Sequence, residues 1–241
     1  MIIHPIDPNL NIVKDELKFW MDAKFQTSYA GSGTSAFDIS GGEFDGTLQN
    51  GTSFSTSNGG YFTFDGVNDV INLGNNNILT AGEHLSLEAW VYPNRYGNFD
   101  GIISRVMGTS PFGGYQLNTA TLNSIAGIDF AINRSGTWTN WYVSGTNWHP
   151  SSLATNTWYH VVGTYDNVTM RLYINGAEVG SGRSVSGSLQ FRSGIGNTFL
   201  GRNGAGSHFQ GNIAVARMYK KALSAAEVLH NYNQQKTRFG L

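Results

Sequence analysis

The chain of 241 residues has no cysteine, so neither a disulfide nor a thiolate metal site is available to it. Proline is scarce at 5 residues, and charged side chains make up only 13% of the sequence. No stretch approaches the roughly 20 apolar residues that a membrane-spanning helix requires, so no membrane partner is expected. The opening "MIIHPIDPNLNIVKDELKFW" lacks a basic start followed by an apolar run, which argues against a secretory signal. Basic residues are scattered rather than clustered, so no nucleic-acid partner is expected either. Stability has to come from packing and hydrogen bonds, or from bound ions and neighbouring subunits.

Glycine and aromatics are plentiful: 31 Gly, 14 Phe, 11 Tyr and 6 Trp, within a hydrophobic fraction of 40% that suffices for a sizeable core. With Asn, Ser and Thr in the connections, this composition indicates short strands joined by turns. In "LSLEAWVYP", Leu85, Leu87, Ala89 and Val91 share one face, and Ser86, Glu88, Trp90 and Tyr92 share the other. That period of two marks a strand. Strands are likewise expected in "GIISRV" (101–106), "GYQLN" (114–118), "IDFAIN" (128–133), "TWYHVVGTY" (157–165), "NTFLGRN" (197–203) and "GNIAVARMY" (211–219). "VTMRLYINGAEVGS" reads as a hairpin turning at Asn175 and Gly176, residues that accept positive φ. One helix is expected in "LSAAEVLHNYNQQ", with Ser224 and Glu227 as a capping box and Leu229 and Tyr232 on the face of Ala225 or Val228. The fold class is therefore all-β: an antiparallel β-sandwich with one short C-terminal helix.

Charge is uneven along the chain. Residues 1–100 carry 4 Lys/Arg against 12 Asp/Glu, and residues 101–241 carry 11 against 4. Interleaving of the two halves in one sandwich would cancel these charges in space, and that reading is favoured over a dipolar surface for head-to-tail contacts between copies. Residues 1–16, with Pro5 and Pro8, are expected to form an extended N-terminal arm suited to lie on a neighbouring subunit. Residues 17–241 are expected to form a single domain that includes a leader, residues 17–60. In the leader's glycine-rich part, Phe37, Ile39, Phe44, Leu48 and Phe54 look like anchors of an ordered excursion rather than a linker.

Six pieces occur in a telling order: "FDGVNDVINL", "LSLEAWVYP", "GYQL", "NTWYHVVGTYDNVTMRLYINGAEV", "FLGRN" and "FQGNIAVARMYKKALSAAEV". From Phe64 to Tyr232 the chain thereby resembles the laminin-G-like, concanavalin A-like lectin/glucanase superfamily. The resemblance implies a jelly roll of two antiparallel sheets, with Trp90 and Trp158 at structural positions. Upstream, Asp22, "SYAGSGT" (28–34), "DISG" (38–41) and "GTLQNG" (46–51) look like the leader of laminin-G-like proteins found among tailed-phage structural proteins. The ending "YNQQKTRFGL" is similar to such proteins too. This second resemblance implies a non-enzymatic phage virion protein, assembled in the host bacterial cytoplasm and exposed on the particle as a capsid decoration or a fibre or tail component. Its partners would be other virion proteins and further copies of itself as a homo-oligomer, with weak adhesion to host-surface glycan. The alternative is a bacterial carbohydrate-binding lectin module.

The glucanases of this superfamily use paired glutamates on one strand, and retention requires carboxylates about 5–5.5 Å apart. Here Glu88 stands alone on its strand, Glu43 and Asp45 lie in a glycine-rich loop, and Glu178 follows a hairpin turn. The histidines at 4, 84, 149, 160, 208 and 230 show no metal-ligand spacing, and no serine sits in a Gly-x-Ser-x-Gly elbow. No catalytic residue is expected, and the protein is not expected to be an enzyme. His160 is read as structural, matching the family's Trp-x-His element. Asp65 and Asp69 suit either a calcium loop or a hydrogen-bonded turn. The family usually reads Gly-x-Ile-Asp-Glu-Val-Arg-Ile-Tyr near its last strand, and Ala214 and Val215 replace both carboxylates here, so the turn is favoured and no cofactor is expected.

The binding candidates centre on "TWTNWYVSGTNWH", which holds Trp138, Trp141, Tyr142 and Trp148, joined by Tyr96, Arg134 and Asn140 if the loops converge. Sugar rings stack on flat aromatic faces while Asn and Arg bond their hydroxyls. The same residues suit two other roles. Alternation would put Trp141 and Val143 into the core and leave Trp138 and Tyr142 on the other face, and Trp, Tyr and Arg are also typical anchors of protein interfaces. Core or protein contact is favoured over sugar.

Overall fold

The computed structural model describes residues 10–75, 84–106, 114–122, 124–134, 137–143, 152–185, 187, 189 and 196–241, with the backbone alone at 106, 134 and 137–143. In chain order the strands begin with β1 (Leu17–Asp22), β2 (Ser35–Ala36), β3 (Gly46–Gln49), β4 (Ser53–Ser55), β5 (Tyr61–Asp65) and β6 (Val70–Asn72). Next come β7 (Leu85–Pro93), β8 (Asp100–Val106), β9 (Gly114–Leu122), β10 (Ile125–Arg134), β11 (Thr137–Val143) and β12 (Tyr159–Tyr165). The series closes with β13 (Thr169–Ile174), β14 (Ala177–Glu178), β15 (Arg183–Ser184), β16 (Thr198–Leu200) and β17 (Gln210–Tyr219). Helix α1 (Ala225–Gln235) runs into a 3-10 turn, Lys236–Phe239.

The strands form two antiparallel sheets. One has the order β14-β13-β12-β7-β17-β5-β4, with β1 added on β17 and β15 on β13; the other runs β11-β10-β9-β8-β16-β6-β3-β2. The expected hairpin turns at Asn175 (φ 50) and Gly176 (φ 79), both left-handed as a two-residue turn of this kind requires. The sheets pack around one large apolar cluster that includes Leu85, Leu87, Ala89, Val91, Ile103, Leu117, Phe130 and Val161. They approach closely at Gly163, where an added Cβ would stand 2.4 Å from the Phe130 ring.

The second face of β7 is not a solvent face. Ser86, Glu88 and Trp90 are fully buried, because α1, the following 3-10 turn and residues 10–16 cover the back of the first sheet. Trp90 stacks on Phe239 at 4.1 Å between ring centroids and on Tyr232 at 5.8 Å, and Trp158 meets Phe239 at 4.7 Å. The molecule therefore has three layers: a cover, a sheet and a second sheet.

Helix α1 starts as expected, with both halves of the Ser224–Glu227 capping box in place. Leu229 is 46% exposed, and the residues turned inward are Val228, Asn231 and Gln235. The sheet surface beneath carries Glu88, Arg217 and the Tyr219 hydroxyl, and amides can satisfy those groups where leucine cannot.

Residues 10–16 lie on the chain's own cover. Leu10 and Ile12 are buried, the Val13 N–H donates to Asn231 Oδ1 (2.9 Å), and His230 bonds the Asn11 carbonyl. Residues 1–9, including Pro5 and Pro8, lie outside the described residues. The leader contributes β2 and β3 to one sheet and β1 and β4 to the other. Its motif residues frame it. Asp38 accepts the N–H groups of Trp20, Ser40 and Phe44, and Ser28 Oγ accepts the Asp22 N–H while donating to the Phe37 carbonyl. The opposite charges of the two halves meet in space, as in Glu88–Arg217, Asp22–Arg238 and Asp15–Lys221.

Candidate functional site

Two polar surfaces stand out, one beneath the cover and one on the outer face of the second sheet. The first centres on Glu88. Its Oε1 accepts from Arg217 Nη1 (2.6 Å) and lies 2.9 Å from His160 Nε2, and its Oε2 accepts from Asn231 Nδ2 (2.9 Å). Arg217 Nη2 continues to Gln235 Oε1 (2.7 Å), and Gln235 Nε2 donates to Asp22, which also receives Arg238 Nη1 (2.7 Å). Burial alone would raise the Glu88 pKa. The Arg217 charge and the His160 and Asn231 hydrogen bonds overcome that and hold it down at about 2. At 0% exposure this carboxylate meets no substrate. Its chemistry is that of a lock that fastens α1 to the sheet.

The second surface is set by register. Leu48, Ile71, Leu200, Ile103, Leu117 and Phe130 lie opposite one another from β3 to β10 and face the core, and Trp141 continues that row on β11. The adjacent row, one residue along each strand, is Thr47, Asn72, Phe199, Ser104, Gln116, Ala131 and Asn140. Since strand side chains alternate, that row belongs to the outer face. Thr47 is exposed there, Asn72, Phe199 and Gln116 are half-buried, and Ser104 and Ala131 are buried. The Arg202 guanidinium sits 5.1 Å over the Phe199 ring. Farther along, Asn118 Nδ2 donates to Asp129 (2.9 Å), and the amide of the fully buried Asn133 has no hydrogen-bond partner among the described residues. Tyr142 lies opposite Asp129 and Trp138 opposite Asn133.

A retaining glycosidase would need a second carboxylate near Asp129. On the face of β10 turned away from the core stand Asp129, Ala131 and Asn133, all buried, which gives one carboxylate and an amide.

The sequence profile of the concanavalin A-like lectin/glucanases superfamily matches residues 65–229, more than half of the chain. The chain belongs to this superfamily. Among solved structures, domain 4 of the extracellular GH43 arabinanase from Geobacillus stearothermophilus, determined in complex with arabinotriose, is similar with a TM-score of 0.66 and 16% identity. That match covers 90% of this chain and 98% of the domain. The binding domain of Paraclostridial Mosquitocidal Protein 1 gives 0.67 and 15%, over 91% of this chain and 52% of that one. Trypanosoma rangeli sialidase gives 0.63 and 14%, over 98% and 36%. The chain thus spans about half of the toxin domain and about a third of the sialidase, and at such identities the likeness is one of fold. No curated protein matches.

Where this concanavalin A-like chain departs from its family's last-strand carboxylates, Ala214 and Val215 are buried beside Trp20 and Trp90. Asp65 and Asp69 form a reciprocal turn. Asp65 Oδ1 accepts the N–H groups of Val67, Asn68 and Asp69, while Asp69 Oδ2 accepts the Asp65 N–H. Those N–H bonds, the one from Val67 foremost, lower the Asp65 pKa; burial, with the neighbouring Asp65 charge, raises that of Asp69. Among the described residues no group of three or more His, Cys, Asp or Glu is placed to hold a metal.

The binding candidates divide as follows. By register, Trp138, Asn140 and Tyr142 fall on the outer row and Trp141 on the core row; of Arg134 only the backbone is described, and Trp148 lies outside the described residues. Tyr96 is half-buried and tied to the scaffold. Its hydroxyl donates to the Ala154 carbonyl (3.3 Å), its carbonyl accepts from Thr121 (2.9 Å), and burial pushes its phenol well above the ordinary range. The Glu88–His160–Arg217 assembly was missed as an assembly. Its one signal was local: three chargeable residues, each in the middle of an apolar strand pattern, where a charge survives only with a partner.

Proposed function

We propose that the protein is a non-enzymatic structural component of a phage particle, exposed as a capsid decoration or as a fibre or tail component. It acts as a homo-oligomer docked on other virion proteins and needs no cofactor. The outer row of the second sheet, from Phe199 and Gln116 to Asn140 with Trp138 and Tyr142 beside it, supplies weak adhesion to host-surface glycan. The observation that carries the reading is the leader. The residues that look like a phage-type leader, Asp22, Ser28 and Asp38, are the ones whose side chains frame it on the sandwich. That Asp129 is the one carboxylate on its face of β10 supports binding without cleavage. Labelled protein mixed with purified phage particles should co-sediment with them, and a β-glucan panel should yield no new reducing ends. Release of reducing ends would overturn the non-enzymatic role, and protein left wholly in the supernatant would overturn the docking role.

A bacterial carbohydrate-binding lectin module is the second reading, favoured by the span of 98% over an arabinanase domain solved with arabinotriose. A glycan array separates the two. Strong, specific binding lost in Trp138→Ala favours the lectin; weak or no array binding together with retention on particles favours the virion component.

A further inference from the structure

A sheet ends in strands whose outer N–H and C=O groups have no ladder partner, and proteins blunt such edges by shortness, charge, proline or a bulge. Most edges of this sandwich are blunted. Strands β2, β14 and β15 have 2 residues each, and β4 has 3. The open side of β1 is covered by the leader. There the Trp20 N–H donates to Asp38, the Trp20 carbonyl accepts the Ile39 N–H, and the Lys18 carbonyl accepts from Ser40 Oγ. Strand β11 is different. It has 7 residues and ends its sheet, with β10 as its one strand neighbour among the described residues. Its sequence, "TWTNWYV", holds no charge and no proline. Its register on β10 is unbroken from Ile128–Val143 to Arg134–Thr137, so no bulge turns this edge away.

We propose that two copies of the chain join edge to edge through β11, antiparallel about a two-fold axis at Asn140. The strand is complementary to itself in that register. Thr137 lies opposite Val143 of the second copy, Trp138 opposite Tyr142, Thr139 opposite Trp141, and Asn140 opposite itself. All 7 residues are then paired and no like charges meet. A formal net charge of −1 leaves little long-range repulsion between copies. A ladder of this length is short beside the interfaces of obligate dimers, so the association is reversible, with a dissociation constant of about 1–100 µM. The second sheets of the two copies become one continuous sheet, and their outer rows meet at Trp138 and Tyr142. The dimer thereby presents two adhesive rows side by side to clustered glycan. That consequence rests on the outer row as the adhesive face of the proposed function; the interface itself does not.

The chain has no cysteine, so one introduced thiol reports on the axis. Residues directly opposite in an antiparallel pair have Cα atoms about 4.5–5.5 Å apart, within reach of a disulfide. Asn140→Cys should give a covalent dimer in an oxidised-glutathione buffer, and Ser53→Cys, on the β4 edge, should stay largely monomeric. Sedimentation velocity of the full chain should show a reversible monomer–dimer equilibrium. Asn140→Lys and Asn140→Glu should each shift it toward monomer at least about tenfold by setting like charges on the axis, and mixing the two should restore a heterodimer. These readouts use the free chain without glycan or particles, so their failure and that of the virion reading are separate results. Wild-type protein that is monomeric above about 100 µM, Asn140→Cys that cross-links no faster than Ser53→Cys, or a mixture of the charged variants that stays monomeric would overturn the proposal.

Discussion

Arg217 Nη1 donates to Glu88 Oε1 across 2.6 Å, and both side chains have zero exposure. The pair joins β17 to β7, where Arg217 and Glu88 lie opposite each other, and α1 completes it through Asn231 and Gln235. Removing one partner of such a pair leaves an uncompensated buried charge, at a cost of about 3–5 kcal/mol.

That relationship predicts an acid-dependent stability. A carboxyl whose folded pKa is about 2, against roughly 4.3 when unfolded, contributes fully above the unfolded value and loses its contribution as pH falls toward the folded one. The amount is on the order of 3 kcal/mol. Asp38, Asp69 and Asp100, which burial raises, act in the opposite sense. The informative quantity is therefore the gap in melting temperature between wild type and Glu88→Gln. It should be wide at pH 7 and narrow steadily from about pH 4.5 toward 2. A gap that stays constant over that range would show that Glu88 is not held ionised.

The C-terminal aromatic should be a clasp. Phe239 lies 4.1 Å from Trp90 and 4.7 Å from Trp158 and is 6% exposed. Phe239→Ala should cost about 3 kcal/mol in urea unfolding and shift the tryptophan emission to the red. A loss below about 1 kcal/mol would mean that the cover is held by the polar lock alone.

Helix α1 should respond to substitution by face. Ser224→Ala removes the cap and should cost about 1 kcal/mol. Leu229→Ala, at an exposed site, should stay within about 0.5 kcal/mol. Asn231→Ala strips partners from Glu88, Tyr219 and the Val13 N–H and should cost at least about 2 kcal/mol. A larger loss at Leu229 than at Asn231 would refute the polar inward face.

Calcium should have little effect on stability. The Asp65–Asp69 oxygens that make the turn are already occupied by four backbone N–H bonds. EDTA is expected to leave the melting temperature unchanged, and Asp65→Ala to lower stability by about 1 kcal/mol. A clear fall in EDTA that calcium restores would place an ion at this turn.

Much of the sandwich was legible because period two is written into each strand. Leu85, Leu87, Ala89 and Val91 lie in the core where the alternation puts them, and register sets Trp141 and Val143 opposite the core residues Phe130 and Ile128. Alternation tells which residues share a face and is silent about whether that face is covered. Ser86, Glu88 and Trp90 look like an outer face and are buried under α1. Leu229 is the complementary case: it is apolar yet 46% exposed, while the surface below α1 calls for amides. Glu88 and Arg217 stand 129 positions apart, so no local spacing announces their contact. The polar outer row of the second sheet is likewise invisible until seven strands are set in register.

The central claim, a docked and non-enzymatic component of a phage particle, is tested most directly by mass spectrometry of gradient-purified particles from the producing culture. Peptides of this chain should band with the major particle proteins at a fixed stoichiometry and remain after washing in high salt. Peptides confined to the soluble fraction, with none in the particle band, would contradict it.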